Sequence, residues 1–404
     1  MTRRLIAALL VSFFGCGDGG GGQATPLSGP NVVAVVVDQG PSSLDKPDTN
    51  GLYVTVTLCE PGTSNCQTID HMLVDTGSVG VRVLESELTL TLPAAQDASG
   101  LALAECVQFV DGSSAWGPVK LSDIQVGGEA ASMLPIQVIG SQSYPMASDC
   151  TGTSITNPDS LGANGILGVG VSLNDCGAAC AQTFLNPGLY YSCASTQAGA
   201  CKVVAVPVDR QVPNPVAAFP DNNGVMIRLS SVPASGAPSV SGQMVFGVGT
   251  QANNGLGSAN VFLFDPYGNV ETAFPAGGTQ YPSYLDTGTN GLFFLDSTTT
   301  NLPLCTGGLS GFYCPTSTEN LSATVVGSDG TSSVVDFSVA NASRLAARNF
   351  AFGNLAGPMP GFSPNASLQL PGFDWGLPFF FGRTVFVAIE GQTTPAGPGP
   401  YFAF

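Results

Sequence analysis

The 404 residues carry 28 acidic and 11 basic side chains, a formal charge of −17. No Lys/Arg cluster follows the first four residues, so no nucleic-acid partner is expected, because phosphate neutralisation needs a basic surface. Apolar residues make up 44% of the chain and charged residues 10%, which excludes a disordered acidic tail protein, and the length exceeds what one hydrophobic core usually fills.

The chain opens on Arg3-Arg4, the apolar stretch Leu5–Phe14 and Gly15-Cys16, the layout of a secretory signal over residues 1–15. That stretch is too short to span a bilayer as a mature helix. The small residue before Cys16 resembles a bacterial lipoprotein processing site, so Cys16 is read as the lipidated residue and its lipid as the protein's contact with a membrane. The alternative is ordinary cleavage nearby and secretion; either reading places the protein outside the cytoplasm. Gly17–Thr25, with Gly19-Gly20-Gly21-Gly22, has the composition of a flexible tether, and residues 16–44 are assigned to the lipidated N-terminus and tether.

Within that span the β-branched run Val32–Val37 already reads as the start of the ordered body, and Leu52–Leu58 alternates as a strand does. The 52 glycines and 30 prolines break the rest into short runs rich in Val, Ile, Thr, Phe and Tyr, a predominantly β pattern. Ala342–Phe350 is a candidate helix. Pro207, Pro213, Pro215 and Pro220 precede Asp221-Asn222-Asn223-Gly224, and this concentration of breakers divides an N-terminal lobe, 45–223, from a C-terminal lobe, 224–404.

Setting Cys16 aside, ten of the 11 cysteines remain, an even number in an exported chain. Short loops nominate Cys59 with Cys66, Cys176 with Cys180, Cys193 with Cys201 and Cys305 with Cys314, leaving Cys106 with Cys150; sequence leaves that connectivity open. The single histidine, His71, and the lack of a second thiol pair at ligand spacing argue against zinc, and no metal or cofactor is expected. The period-two pattern sets His71 on the opposite strand face from Met72 and Val74.

Asp75-Thr76-Gly77-Ser78 follows Met72-Leu73-Val74, and Asp286-Thr287-Gly288-Thr289 follows Tyr284-Leu285. Ile166-Leu167-Gly168 lies 93 positions after Asp75 (168 − 75), and Phe380-Phe381-Gly382 lies 96 after Asp286 (382 − 286). Repeated punctuation at similar spacing implies a duplication with two lobes related by a pseudo-twofold axis. Two carboxyls brought together cannot comfortably both ionise, so they share a proton and can act as paired acid and base on a bound water. Gly77 and Gly288 let the backbone approach a carboxylate closely. The Thr76 and Thr287 hydroxyls can bond across the axis, and those of Ser78 and Thr289 can donate to the outer carboxylate oxygens.

At these residues the chain resembles the pepsin-like aspartic peptidases, and its lipoprotein-like start is similar to a bacterial branch of that group. The match takes in Tyr53, the Asp75 turn, Val126-Gly127-Gly128, Gly165-Ile166-Leu167-Gly168, Gly242 to Gly247, the Asp286 turn and Phe380-Phe381-Gly382, in the family's order. The resemblance implies an all-β, bilobal pepsin-like acid-protease fold, two pseudo-twofold-related β-barrel-like lobes about a central cleft. It also implies an endopeptidase that hydrolyses extended polypeptides with Asp75 and Asp286 as the catalytic pair; a monomer is expected, although the sequence itself does not give the oligomeric state. Two departures bear on activity. The flap hairpin, which the family furnishes with a tyrosine, here reads Val107 to Ser113 with Phe109 nearest that place, and Asp111, Gly112 and Trp116 are the other flap and cleft candidates. Arg82, four residues after Ser78, stands where tryptophan is common. An altered flap over a retained pair implies changed specificity or lost efficiency, and the alternative is a noncatalytic binding or inhibitor protein on the same scaffold.

Overall fold

Residues 26–266, 268–359 and 372–404 are described by a computed structural model; the signal segment, Cys16 and Gly17–Thr25 lie outside them. The short β-branched and aromatic runs form strands, and the α-helices among these residues are single four-residue turns, Pro158–Leu161 and Ser297–Thr300. The candidate helix at Ala342–Phe350 is only a 3-10 turn, Ala342–Arg344. It is opened by the Asn341 side chain and ended where Leu345 goes extended.

One three-strand motif occurs twice. Cys66–Asp75 runs parallel to Gly165–Val169, which pairs antiparallel with Val79–Leu84. Thr279–Leu285 runs parallel to Phe373–Trp375, which pairs antiparallel with Leu292–Phe294. The two motifs repeat one three-strand plan in the two halves of the chain, and the architecture is all-β.

The register corrects one sequence reading. Asp75 lies opposite Gly168. In the second motif Leu285 lies opposite Trp375, and the Asp286 N–H donates to Trp375 O, so the counterpart of Ile166-Leu167-Gly168 is Asp374-Trp375-Gly376, not Phe380-Phe381-Gly382. Gly376 is 90 positions after Asp286 (376 − 286). A Cβ there would sit 2.1 Å from the Gly291 carbonyl oxygen, the close approach that only glycine allows. Phe380 instead ends the buried 3-10 turn Leu377–Phe380, and Phe381 bridges to Leu229 in a different strand.

A sheet common to both halves joins them. Val32–Asp38 pairs antiparallel with Val240–Phe246, which continues through Gly224–Leu229 and Thr384–Ala388 to Tyr401–Ala403. The tether assigned to 16–44 is therefore too long, because Val32–Asp38 is a sheet strand whose β-branched residues pack against the other half. In the next strand pair, Gly51–Cys59 with Cys66–Asp75, the register slips between Val54 and Val56. His71 stands in that irregularity at φ 46°, half-buried between Asp38 and Asp70 and against the Tyr53 ring.

The second half packs around aromatics. Phe294, Phe373 and Trp375 are fully buried, and Phe294 contacts the rings of Phe274, Tyr313, Phe337 and Phe373. All five disulfides join the nominated partners: Cys59–Cys66, Cys106–Cys150, Cys176–Cys180, Cys193–Cys201 and Cys305–Cys314. Such bonds form in an oxidising compartment outside the cytosol. No helix among the described residues is long and apolar enough to cross a membrane. Because four rings close on Phe294, Phe294→Ala should lower the unfolding free energy by about 3–5 kcal/mol, measured by urea titration.

Candidate active site

Each Asp-Thr-Gly strand ends in a turn, and the two turns lock together through their threonines. Thr76 Oγ1 donates to Leu285 O at 2.9 Å, and Thr287 Oγ1 donates to Val74 O at 2.7 Å. Each hydroxyl also accepts the other threonine's backbone N–H, from Thr76 N at 3.2 Å and from Thr287 N at 3.0 Å. Both threonines are buried, so these reciprocal bonds leave no orphaned group at the axis.

The carboxyls are seated alike. Gly77 N donates to Asp75 Oδ1 at 2.8 Å and Gly288 N to Asp286 Oδ1 at 2.7 Å. On the outer oxygens, Ser78 Oγ donates to Asp75 Oδ2 and Thr289 Oγ1 to Asp286 Oδ2. The two carboxyls are within hydrogen-bonding reach of each other. A Cβ on Gly77 would lie 2.7 Å from Asp286 Cγ, and one on Gly288 would lie 2.7 Å from Asp75 Oδ1. Glycine here is what allows the pair to form.

Burial first, then the neighbouring Asp75 and Asp374 carboxyls, hold the Asp286 carboxyl well above the ordinary range, against the pull of Thr289. The pair thus keeps a proton that its two carboxyls share. Asp374, from the corrected triplet, is a third carboxyl at this site. Burial raises it to about 8 although the Thr289 and Tyr284 hydroxyls pull it down.

These groups lie in one cleft of about 460 Å³, which also takes in Ser172, Asn174 and Asp175. The hairpin formed by Ala102–Gln108 and Ser113–Val126 covers it, and Phe109 and Asp111 line it from the hairpin tip. Gly112 turns the tip at φ 84°, where its N–H donates to Phe109 O. Trp116 does not belong to the cleft. It pairs with Cys106, one position past the cleft-lining Val107, and strand alternation turns it to the other face. There it packs against Tyr191 and the Cys106–Cys150 bridge and donates from Nε1 to Tyr144 O.

Arg82 is buried in the wall of the cleft. Its guanidinium meets Glu105 at 2.9 Å and Asp175 at 3.4 Å, and donates to Val79 O. Tyr190 donates its hydroxyl to Asp175 Oδ1 at 2.7 Å. Burial, and then the Glu105 charge, push Asp175 well above the carboxylate range, although Arg82 pulls it down. The residues missed in sequence are Glu105, Asp175, Tyr284 and Asp374. The first two sit 23 and 93 positions from Arg82, with no local pattern to connect them. Asp374 interrupts an apolar run. Among the described residues no group of three or more His, Cys, Asp or Glu side chains is arranged to hold a metal ion.

Removing the cation from a buried ionic cluster strands its partners, so Arg82→Met should cost about 3–5 kcal/mol of stability. Adding Glu105→Gln should recover part of that loss in a double-mutant cycle read by urea unfolding. A raised carboxyl stays protonated in the fold after its unfolded counterpart has ionised, so stability declines as pH climbs from the ordinary 3.8 toward the value of about 8 at Asp374. The melting temperature should therefore fall between about pH 5 and pH 8, and Asp374→Asn should fall less over the same interval, as scanning calorimetry will show.

The chain is similar in shape to the crystal structure of an aspartic proteinase from Irpex lacteus, at 15% sequence identity and a TM-score of 0.49, over 92% of this chain and 96% of that one. No curated protein matches it in sequence. A family model described as "Protein of unknown function (DUF3443)" matches residues 28–404, and the chain belongs to that family.

Proposed function

We propose that the protein is an aspartic endopeptidase that hydrolyses extended polypeptides in the cleft beneath the Val107–Ser113 hairpin. The observation that carries this reading is the pair Asp75 and Asp286, within hydrogen-bonding reach and each held by a glycine N–H and an outer hydroxyl. Such a pair, sharing one proton, supplies the base and the acid that amide hydrolysis requires.

In this scheme a water between the carboxyls gives a proton to Asp75 as its oxygen bonds to the peptide carbonyl carbon, while Asp286 protonates the carbonyl oxygen. The resulting diol returns its hydroxyl proton to Asp286 as the C–N bond breaks, and the departing amine takes the proton held by Asp75. The pair ends as it began, and no oxidant or cofactor is consumed. The hairpin edge offers backbone partners to an extended chain, the strand-addition mode of recognition. Phe109 brings an apolar ring to the cleft where a phenol would bring a hydroxyl, so flap closure depends on packing.

The test is digestion of a denatured protein from about pH 3 to pH 8 by the wild type, Asp75→Asn and Asp286→Asn. Each substitution should lower the rate roughly 10³-fold. Wild-type activity should decline on the alkaline side as the pair loses its shared, raised proton. Digestion that survives both substitutions removes the pair from the mechanism; saturable peptide binding without cleavage at any pH identifies a binding protein.

A further inference from the structure

The two halves differ in ionisable character at one position beneath their turns. Ile166 lies beside Leu73 in the first half, whereas Asp374 lies beside Tyr284 in the second, and both line the cleft. Asp374 is 6% exposed, and its Oδ1 has no hydrogen-bond partner. A buried carboxyl with an open acceptor is costly unless something completes it. The hydrolytic scheme above does not use it, because both members of the pair already have their donors.

The groups facing Asp374 narrow what could complete it. Asp75 and Asp286 approach from the two turns, Tyr284 from the neighbouring strand and Thr289 from beyond the second turn. The other adjoining strand, Leu292–Phe294, brings only apolar side chains. Elsewhere in the cleft stand Asp111 and Asp175, and the one cation among the lining residues, Arg82, is engaged by Glu105 and Asp175. A substrate carboxylate would meet like charge here, and an apolar side chain would leave Oδ1 unpaired. An ammonium or guanidinium supplies both donors and opposite charge.

We propose that Asp374, with Tyr284, forms a subsite for a cationic side chain, lysine or arginine, next to the bond that is cut. This rests on the peptidase reading of the same cleft. Because Asp374 is protonated in the empty cleft, a docking cation expels that proton. The preference for a cation therefore strengthens as pH rises from acidic toward neutral, the reverse of the trend set by the catalytic pair.

The experiment compares peptides carrying lysine or norleucine at each position flanking the cut, at pH 5 and pH 7. Wild type and Asp374→Asn are assayed for cleavage. Asp75→Asn and the double variant Asp75→Asn/Asp374→Asn, both turnover-deficient, are assayed for binding by fluorescence anisotropy. At one flanking position lysine should be favoured about 10-fold or more in kcat/KM, more at pH 7 than at pH 5. Asp374→Asn should bring the ratio near one and lose its pH trend. Equal use of lysine and norleucine by the wild type, or a preference that persists in Asp374→Asn, overturns the subsite. If no peptide is cut, binding decides. A lysine preference in Asp75→Asn that vanishes in the double variant upholds the subsite and overturns the peptidase reading, and no such preference overturns the subsite.

Discussion

Two carboxyls pressed together in a buried place repel each other, and the rest of this structure is arranged so that they cannot separate. The threonines bond across the axis, each to the other's strand and backbone, which fixes the turns without relying on the acids. The glycines admit the approach, since a single methyl group on either would fall within contact of the opposite carboxyl. Repulsion that would otherwise drive the acids apart is met by a proton shared within the pair and by hydroxyls on both outer oxygens. The hold on the two turns and the placement of the two carboxyls thus come from one set of contacts.

Internal duplication explains why those contacts occur in pairs, and its breakdown shows where the halves have acquired separate tasks. The first half contributes the hairpin and the Arg82–Glu105–Asp175 cluster; the second contributes an aromatic core and Asp374. The ionic cluster fills the wall below the hairpin, where an indole would give a neutral, apolar surface. Apolar residues of similar volume often match or exceed the stability of such a buried ionic cluster, so stability alone does not account for it. The cleft is therefore bounded by a buried ionic cluster on one side and a third carboxyl on the other.

Much of this was legible in the residues and some was not, for reasons particular to each. The two turns are local motifs, and local motifs survive in sequence; so do short disulfide loops, whose partners are near neighbours. The second triplet was misplaced because Asp374 breaks the apolar pattern. Gly376 and Gly382, 90 and 96 positions after Asp286, bracket the 93 of the first half evenly, so spacing could not choose between them. Trp116 was drawn to the cleft by its size, but one step along a strand reverses the face. The partners of Arg82 come from strands and loops far apart in the chain, and only the fold brings them together.

The strand Val32–Asp38 has a consequence for how the molecule is made. Most of its length is hydrogen-bonded to Val240–Phe246, more than two hundred residues further on; Val32 is opposite Val245. A polypeptide emerging from its N-terminus thus presents a β-branched, sticky edge until Val240–Phe246 has emerged, the situation in which unpaired strands misassociate. The halves are consequently not independent folding units in time: one of the first elements to appear completes its pairing only after the second half has begun to emerge.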